Sequence, residues 1–216
     1  MKQKNVNLFV LWFVKLSGLI PALLFFKPKV YYVDKKVQGR RIKKGSILMS
    51  NHMSLMDFAL YLILFFGSVI RFLMAEVLYN KSKLFAWFLF AVGGVYVNRD
   101  TKNFSFMNES VKILKKGGIV GIFPQGRLPV GGKPFPFKPS ITYIALRSGS
   151  PIVPVYTDGN YGLFKRTRVV IGTPVNLKEY CTNDNPDKEE LERLTAFLEE
   201  KTWELKEFLK QSEEKK

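Results

Sequence analysis

The sequence contains only one cysteine, Cys181, and only one histidine, His52, among 216 residues. A single cysteine excludes both a disulfide framework within the chain and a cysteine-rich zinc site, and it favours a reducing, cytosolic compartment. No spacing of histidine, cysteine and acidic residues typical of a metal site is visible, so we expect no metal. Because histidine is the side chain that ordinarily titrates near neutral pH, the position of the single one is informative.

Acidic residues are also scarce, with 18 Asp and Glu against 34 Lys and Arg, which gives a formal net charge of +16. Such a surface attracts an anionic partner: nucleic acid, a phospholipid surface or a phosphorylated substrate. The 19 Phe and 3 Trp exceed what one core of this size needs and favour lipid. A basic nucleic-acid-binding module is the weaker alternative, because the charges are dispersed and the aromatic residues lie in long apolar runs. We therefore predict a membrane surface as partner and no nucleic acid.

The longest apolar run, VNLFVLWFVKLSGLIPALLFF at 6–26, is long enough to cross a bilayer core as a helix. Lys15 near its middle and Pro21 in its last third disfavour a simple span. A signal peptide is disfavoured because no small-x-small cleavage site follows convincingly. We predict that residues 1–28 form an apolar helix that lies in, or dips into, one leaflet.

The rest of the chain, residues 29–216, alternates short apolar segments with helix-length amphipathic ones. This pattern predicts a single α/β domain with a mostly parallel central sheet flanked by helices. The predicted strands are 30–37, 46–50, 69–74, 95–98, 119–123, 151–156 and 168–172. The predicted helices are 54–66, 77–91, 102–116, 138–148 and 188–210.

The stretch NHMSLMD places His52 directly after a predicted strand that ends at Ser50. Open α/β sheets bind their ligands at such carboxyl ends. Ser54 and Asp57 fit the S-x-x-D pattern that starts a helix, with Ser54 as N-cap and Asp57 at the third helical position. Capping of the helix, with a histidine that only bonds within its loop, would explain these residues without catalysis.

His52 and Asp57 could not meet on one regular helix, since a step of five residues rotates them by about 140°. They can meet if the turn from strand to helix lies between them, and a strand end at Ser50 predicts this turn. A carboxylate bonded to one imidazole nitrogen leaves the other nitrogen available as a general base. The sequence therefore predicts a His52–Asp57 catalytic pair.

The pattern N-H-x-x-x-x-D after a hydrophobic strand resembles the first motif of the glycerolipid acyltransferases, in particular the 1-acylglycerol-3-phosphate acyltransferase family. Three further blocks resemble family motifs in the same order: GGVYVNRD at 93–100, FPQGRLPVGGKPFPFK at 123–138 and PIVPV at 151–155. The resemblance covers about residues 30–173.

This resemblance implies a glycerol-3-phosphate acyltransferase-like fold without a bound cofactor. The implied reaction moves a fatty acyl group from acyl-CoA or acyl carrier protein to the hydroxyl of lysophosphatidic acid, giving phosphatidic acid in phospholipid biosynthesis. His52 would be the base, Asp57 would orient it, and Arg99 would bind the acceptor phosphate. Backbone N–H groups near Gly126 would stabilise the tetrahedral oxyanion. The N-terminal apolar run and the basic, aromatic composition predict a peripheral or monotopic location on the cell membrane, with the active site on the cytoplasmic face.

The block FPQGRLPVGGKPFPFK, which we call the FPQGR block, departs from the family pattern in three places. Gln125 replaces a glutamate and cannot carry its charge, Arg127 replaces a threonine, and Leu128 replaces an arginine. Arg127, one position early, could supply the missing guanidinium. Because these changes lie near the expected headgroup site, an acyltransferase acting on a different lysolipid acceptor stays open as the alternative.

Elsewhere, Asn98 stands where the family usually has an acidic residue. Lys133 and Lys138 either add positive potential around the FPQGR block or serve only solubility. The candidate substrate-binding residues are Arg99, Gln125, Gly126, Arg127, Lys133 and Lys138.

Overall fold

The computed structural model describes residues 4–98, 104–183 and 186–214. The strands in this part of the chain are β1 (Lys29–Tyr32), β2 (Ile47–Ser50), β3 (Ile70–Ala75), β4 (Val95–Val97), β5 (Ile119–Ile122), β6 (Ile152–Thr157) and β7 (Arg168–Ile171). The helices are α1 (Leu8–Phe26), α2 (Asp57–Leu64), α3 (Glu76–Tyr79), α4 (Lys83–Ala91), α5 (Ser105–Lys115), α6 (Ser140–Ser148) and α7 (Lys188–Glu214). A strand is present at each predicted place, but the first is shorter than predicted: β1 ends at Tyr32, and residues 33–37 form a turn in which the Asp34 side chain accepts from the Lys36 N–H.

The predicted helices are present, with one division that the sequence pattern did not predict. The segment 77–91 is not one helix, because α3 ends at Tyr79 and α4 begins at Lys83. The Ser82 side chain accepts a hydrogen bond from the Phe85 N–H at 3.1 Å and so caps the start of a new helix. A continuous apolar pattern concealed this break.

The strands form one sheet in the order β1-β7-β6-β2-β5-β3-β4. The five strands from β6 to β4 in this order run parallel, whereas β7 is antiparallel to β6, and β1 is parallel to β7. The prediction of a mostly parallel sheet is confirmed. The ends of β2, β5 and β6 therefore share one edge of the sheet with the starts of β1 and β7, and we call it the C-terminal edge.

Helices cover both faces of the central strands, and all four residues of β2 and of β5 are buried. Leu48 of β2 joins the core beneath α2 and α4, whereas its neighbours Ile47 and Met49 join the core beneath α5, α6 and α7. This alternation is the two-residue period of a strand. Burial on both faces explains why these strands appear in the sequence as continuous apolar runs.

Helix α1 packs against α2 and α4, and its charged residue points towards the protein. Lys15 is fully buried, and its Nζ donates to the carbonyls of Phe66 and Ser68 at 2.8 and 2.7 Å, just beyond α2. The opposite face exposes a stripe of large apolar side chains: Phe9, Phe13, Leu16, Ile20, Leu23 and Leu24. By length and composition α1 could cross a membrane. The predicted helix is confirmed, and because Lys15 is buried, the outer face of α1 carries no charged side chain.

Gly121 in β5 lies directly against the ring of Phe72, and a Cβ atom there would come within 2.4 Å of ring carbons. We expect Gly121→Ala to destabilise the fold by about 1–3 kcal/mol, because the crowded ring must shift. The thermal midpoint in detergent measures this loss. Gly67→Ala is the matched control, since no heavy atom lies within 4 Å of its Cβ position. Equal midpoints for the two variants would contradict this packing.

Candidate active site

The loop between β2 and α2 brings the two predicted catalytic residues together at the C-terminal edge of the sheet. His52 Nδ1 lies 2.8 Å from Asp57 Oδ2. The Asp57 side chain is fully buried, whereas 17% of the His52 side chain is exposed. The predicted contact across the strand-to-helix turn is confirmed. Its catalytic role stays a prediction.

The Asp57 carboxylate accepts three further hydrogen bonds. Its Oδ2 also accepts from the backbone N–H groups of Met53 and Ser54, at 2.7 and 3.0 Å. Its Oδ1 accepts from the Tyr161 hydroxyl. Burial and, to a smaller extent, the Asp57 charge raise the pKa of Tyr161 far above its ordinary value, so this hydroxyl stays protonated and donates. These bonds fix the carboxylate in one orientation towards His52.

The predicted helix cap at Ser54 is wrong. Helix α2 begins at Asp57, and its N-cap is Met56, which makes no side-chain capping bond. The Ser54 hydroxyl accepts from the Met56 N–H at 3.1 Å, and the Ser54 carbonyl accepts from the Asp57 N–H at 3.1 Å. The Asp57 carboxylate folds back onto the preceding loop, which closes a separate turn and moves the helix start three residues along.

The segment after β5 fixes the imidazole from a second side. The Phe123 ring stacks on the His52 ring, with 4.3 Å between centroids and 15° between planes. Gln125 Oε1 accepts from the His52 backbone N–H at 3.0 Å. Gln125 is buried and does not line the cavity beside His52. In this structure its side chain braces the loop and does not face substrate space.

Asn51, immediately before the histidine, ties this loop to β6. Its Nδ2 donates to the Thr157 carbonyl at 2.8 Å, and its Oδ1 accepts from the Thr157 N–H at 2.9 Å. Asn51 is fully buried. An amide supplies both a donor and an acceptor, so it pairs with the N–H and the C=O of one residue, as a neighbouring strand would.

A cavity of about 920 Å³ opens beside His52 and runs between the sheet, α4 and α5. Most of its lining is apolar, with Phe58, Phe72, Leu78, Phe85, Phe88 and Met107 among the contributors. Its basic side chains are Lys81, Arg127 and Lys138, and no acidic side chain lines it within the described ranges. An apolar cavity with cations suits an amphiphilic molecule that carries a negative charge.

The family model for acyltransferases matches residues 29–158 of this chain. The chain belongs to the acyltransferase family. It is 30% identical over 136 residues to a Bacillus subtilis 1-acyl-sn-glycerol-3-phosphate acyltransferase, covering 61% of this chain and 66% of that one. A Borreliella burgdorferi protein of the same name is 28% identical over 123 residues, covering 55% and 48%. These alignments span from about half to two thirds of the relatives' length.

A solved acyltransferase shares the fold. The crystal structure of the 1-acyl-sn-glycerophosphate (LPA) acyltransferase PlsC from Thermotoga maritima matches with a TM-score of 0.65 and 25% identity, covering 94% of this chain and 80% of that one. The predicted fold class is therefore confirmed.

The predicted substrate-binding residues of this acyltransferase are only partly brought together. Gly126, Arg127 and Lys138 line the cavity, whereas Lys133 lies in an exposed turn and does not. Arg99 lies outside the described residues. The Gly126 N–H donates to the Phe123 carbonyl at 3.0 Å, so this amide already closes a turn. Gly126 itself has a φ of +65°, a conformation that favours glycine.

Two residues of the site were missed by sequence reasoning. Asn51 is the first letter of the N-H-x-x-x-x-D motif, so its place beside the histidine was an available signal. Tyr161 offered none, because it lies 104 residues from the carboxylate that it contacts. Only the pairing of β2 with β6 brings that segment to Asp57.

Tyr161→Phe tests the bond to the Asp57 carboxylate. We expect kcat for acyl transfer to fall by about tenfold, because a hydrogen bond to a charged group contributes more than 1 kcal/mol and orients the dyad. We expect KM to stay unchanged, since Tyr161 does not line the cavity. Tyr180→Phe, which removes a hydroxyl from a half-exposed ring, is the control. Native kcat in the Tyr161 variant would refute the positioning role.

Proposed function

We propose that this chain transfers a fatty acyl group from a thioester, acyl-CoA or acyl carrier protein, to the free hydroxyl of lysophosphatidic acid, giving phosphatidic acid. The observation that carries the proposal is the His52–Asp57 pair, 2.8 Å apart, at an apolar cavity that also contains basic side chains. The names of the relatives in bacteria support the same acceptor.

In the proposed reaction, His52 acts through its outer nitrogen. A carboxylate only accepts hydrogen bonds, so the contact with Asp57 requires the proton on Nδ1 and leaves Nε2 unprotonated. Nε2 takes the proton of the acceptor hydroxyl as its oxygen attacks the thioester carbonyl carbon. Asp57 stabilises the imidazolium that forms. The C–S bond then breaks, and the thiolate leaves as a thiol with the proton from His52.

The cavity divides between the two chemical parts of the substrates. Its aromatic and aliphatic walls suit acyl chains, and Arg127 and Lys138 suit the acceptor phosphate. Arg127 has no ion-pair partner among the described residues. Arg99 stays a predicted phosphate ligand. The reaction as written needs no cofactor besides the acyl donor.

A different lysolipid acceptor remains the second candidate. One of the sequence changes that suggested it, at Gln125, no longer supports it. Gln125 bonds to the loop of His52, so its exchange for glutamate does not alter the surface of the cavity. Leu128 and Asn98 do line the cavity, and both are uncharged where the family pattern that the sequence resembles has a charged residue. The argument for a changed headgroup site therefore rests on these two positions and on Arg127, which replaces a threonine and also lines the cavity.

We place the enzyme at the cytoplasmic face of the cell membrane, with residues 1–28 as the membrane-associated element and 29–216 as the acyltransferase domain. The support is the apolar stripe of α1, which includes Phe9 and Ile20 at 81% and 68% exposure. Because Lys15 turns inwards, this stripe can lie within one leaflet without burying a charge in lipid.

His52→Ala tests the mechanism. We expect release of free thiol from a long-chain acyl-CoA, in the presence of lysophosphatidic acid, to fall by roughly 10²- to 10⁴-fold, as for loss of a general base. A thiol-reactive dye follows the reaction, and the thermal midpoint of the variant verifies its folding. Equal rates of thiol release by the native and variant proteins would refute the mechanism. If the native protein released thiol only with a different lysolipid, the mechanism would stand and lysophosphatidic acid would be the wrong acceptor.

Arg127→Gln tests phosphate binding. We expect KM for lysophosphatidic acid to rise by about tenfold or more, because a charge-assisted hydrogen bond is lost, while kcat changes little. Lys133→Gln is the control that removes the same charge away from the cavity. A monoacylglycerol without phosphate provides the second comparison. If Arg127→Gln weakened both acceptors equally, a role in phosphate recognition would be refuted.

A further inference from the structure

A turn beside the end of α1 exposes two adjacent large apolar side chains. The Lys165 N–H donates to the Gly162 carbonyl at 3.0 Å, which places Leu163 and Phe164 at the tip. The Phe164 side chain is 99% exposed and Leu163 is 59% exposed. A single exposed apolar side chain is ordinary, but an adjacent pair followed by Lys165 and Arg166 is typical of a segment that enters a lipid leaflet. We call it the Leu163–Phe164 turn.

The base of this turn is fastened to α1 and β1. The Thr167 N–H donates to the Phe26 carbonyl at 2.9 Å, and the Lys29 N–H donates to the Thr167 carbonyl at 2.8 Å. The rings of Phe26 and Tyr161 meet edge to face with 5.3 Å between centroids. The turn therefore projects from a fixed point next to the carboxyl end of α1.

A groove of about 410 Å³ lies at the same place, and we call it the basic groove. Its lining residues are Leu23, Lys27, Pro28, Lys29, Arg40 and Arg166. Lys29 forms an ion pair with Glu213 at 2.8 Å, and Arg40 Nε donates to the Tyr32 hydroxyl at 3.2 Å. Lys27 and Arg166 have no ion-pair partner within the described part of the chain. Four cations with one neighbouring carboxylate attract an anion.

The basic groove continues the apolar stripe of α1. Leu23 belongs both to the stripe and to the groove lining, and Lys27 follows directly after the helix. Apolar side chains on either side of a cluster of cations match the layering of a leaflet, in which anionic headgroups lie directly above acyl chains. A soluble anion would match the cations but would leave the apolar tip uncovered.

The sheet places this surface on the same side of the molecule as the active site. Because β1 and β7 run opposite to β2 and β6, Lys29 and Arg168 lie at the C-terminal edge, where β2 leads into His52. Tyr161, one residue before the turn, donates to the Asp57 carboxylate. A bilayer in contact with the turn therefore faces the edge that carries the dyad.

We propose that the Leu163–Phe164 turn and the basic groove form a second membrane-docking surface, which adjoins the carboxyl end of α1. The two apolar side chains enter the leaflet, and the groove binds the headgroup phosphate of an anionic phospholipid. This inference rests on the proposed function in one respect, the location at a membrane. Its tests use no substrate, so they do not depend on turnover.

The first test measures the depth of the turn in full-length protein bound to vesicles. In a Cys181→Ser background, Phe164→Cys carries a fluorescent label, and nitroxides on phospholipid acyl chains quench it on contact. Lys44→Cys, in the exposed segment before β2 at the opposite edge, is the matched label. We expect strong quenching at 164 and little at 44. Equally weak quenching at both positions would overturn the proposal.

The second test measures how much the cations of the basic groove contribute to vesicle binding. Lys27→Gln with Arg166→Gln is compared with Lys43→Gln with Lys44→Gln, which removes the same charge at the opposite edge. On vesicles that contain phosphatidylglycerol, we expect the groove variant to lose roughly 30-fold in partitioning, since each basic residue near an anionic surface contributes about fivefold. The control should bind as the native protein does, and on phosphatidylcholine alone the groove variant should match native.

Three results would overturn the groove assignment: equal losses in the two variants, competition by soluble CoA or inorganic phosphate, or tight binding of short RNA that displaces vesicles. A different result would refute the proposed function: no acyl transfer by protein whose label at position 164 is quenched by the vesicles. Acyl transfer by a protein whose turn stays in water would leave the function intact and reject the docking surface.

Discussion

The buried Asp57 carboxylate is the group on which the arrangement of the site depends. It accepts from the His52 ring, from two loop N–H groups and from the Tyr161 hydroxyl, so this one side chain joins the loop after β2, the start of α2 and the segment after β6. A buried carboxylate without such donors would be strongly unfavourable. The same bonds that compensate its burial also orient the imidazole, and the geometry of the loop is therefore inseparable from the dyad.

The segment after β5 also holds the His52 ring and its loop in place. It shows which property of residue 125 this contact requires. The Phe123 ring stacks on His52, and the ring of Phe72 stacks behind it at 5.5 Å. Gln125 offers an oxygen to the His52 N–H. Glutamine and glutamate both provide that acceptor, so the exchange preserves this contact. The departure that suggested a lost headgroup charge in the sequence lies in a side chain that supports the His52 loop and does not line the cavity.

The relation to the membrane also follows from where charges point. Lys15 bonds to carbonyls beyond α2, which leaves the outer stripe of α1 apolar. The reversed direction of β1 and β7 brings the end of α1 and the Leu163–Phe164 turn to the edge that carries His52. Topology thus places the proposed docking surface and the His52–Asp57 pair at one edge of the sheet, although no sequence motif connects them.

The strands, most of the helices and the contact between His52 and Asp57 were predictable from the sequence, because apolar periodicity and a seven-residue motif are local properties. It also indicated the family through four ordered blocks. Three features became visible only in the fold: Tyr161 reaches Asp57, Lys15 faces inwards, and Lys138 but not Lys133 lines the cavity. Each of these depends on contacts between residues distant in the chain, or on the direction in which an exposed loop leaves the sheet. Local pattern carries no information about either, since strand order and pairing determine both.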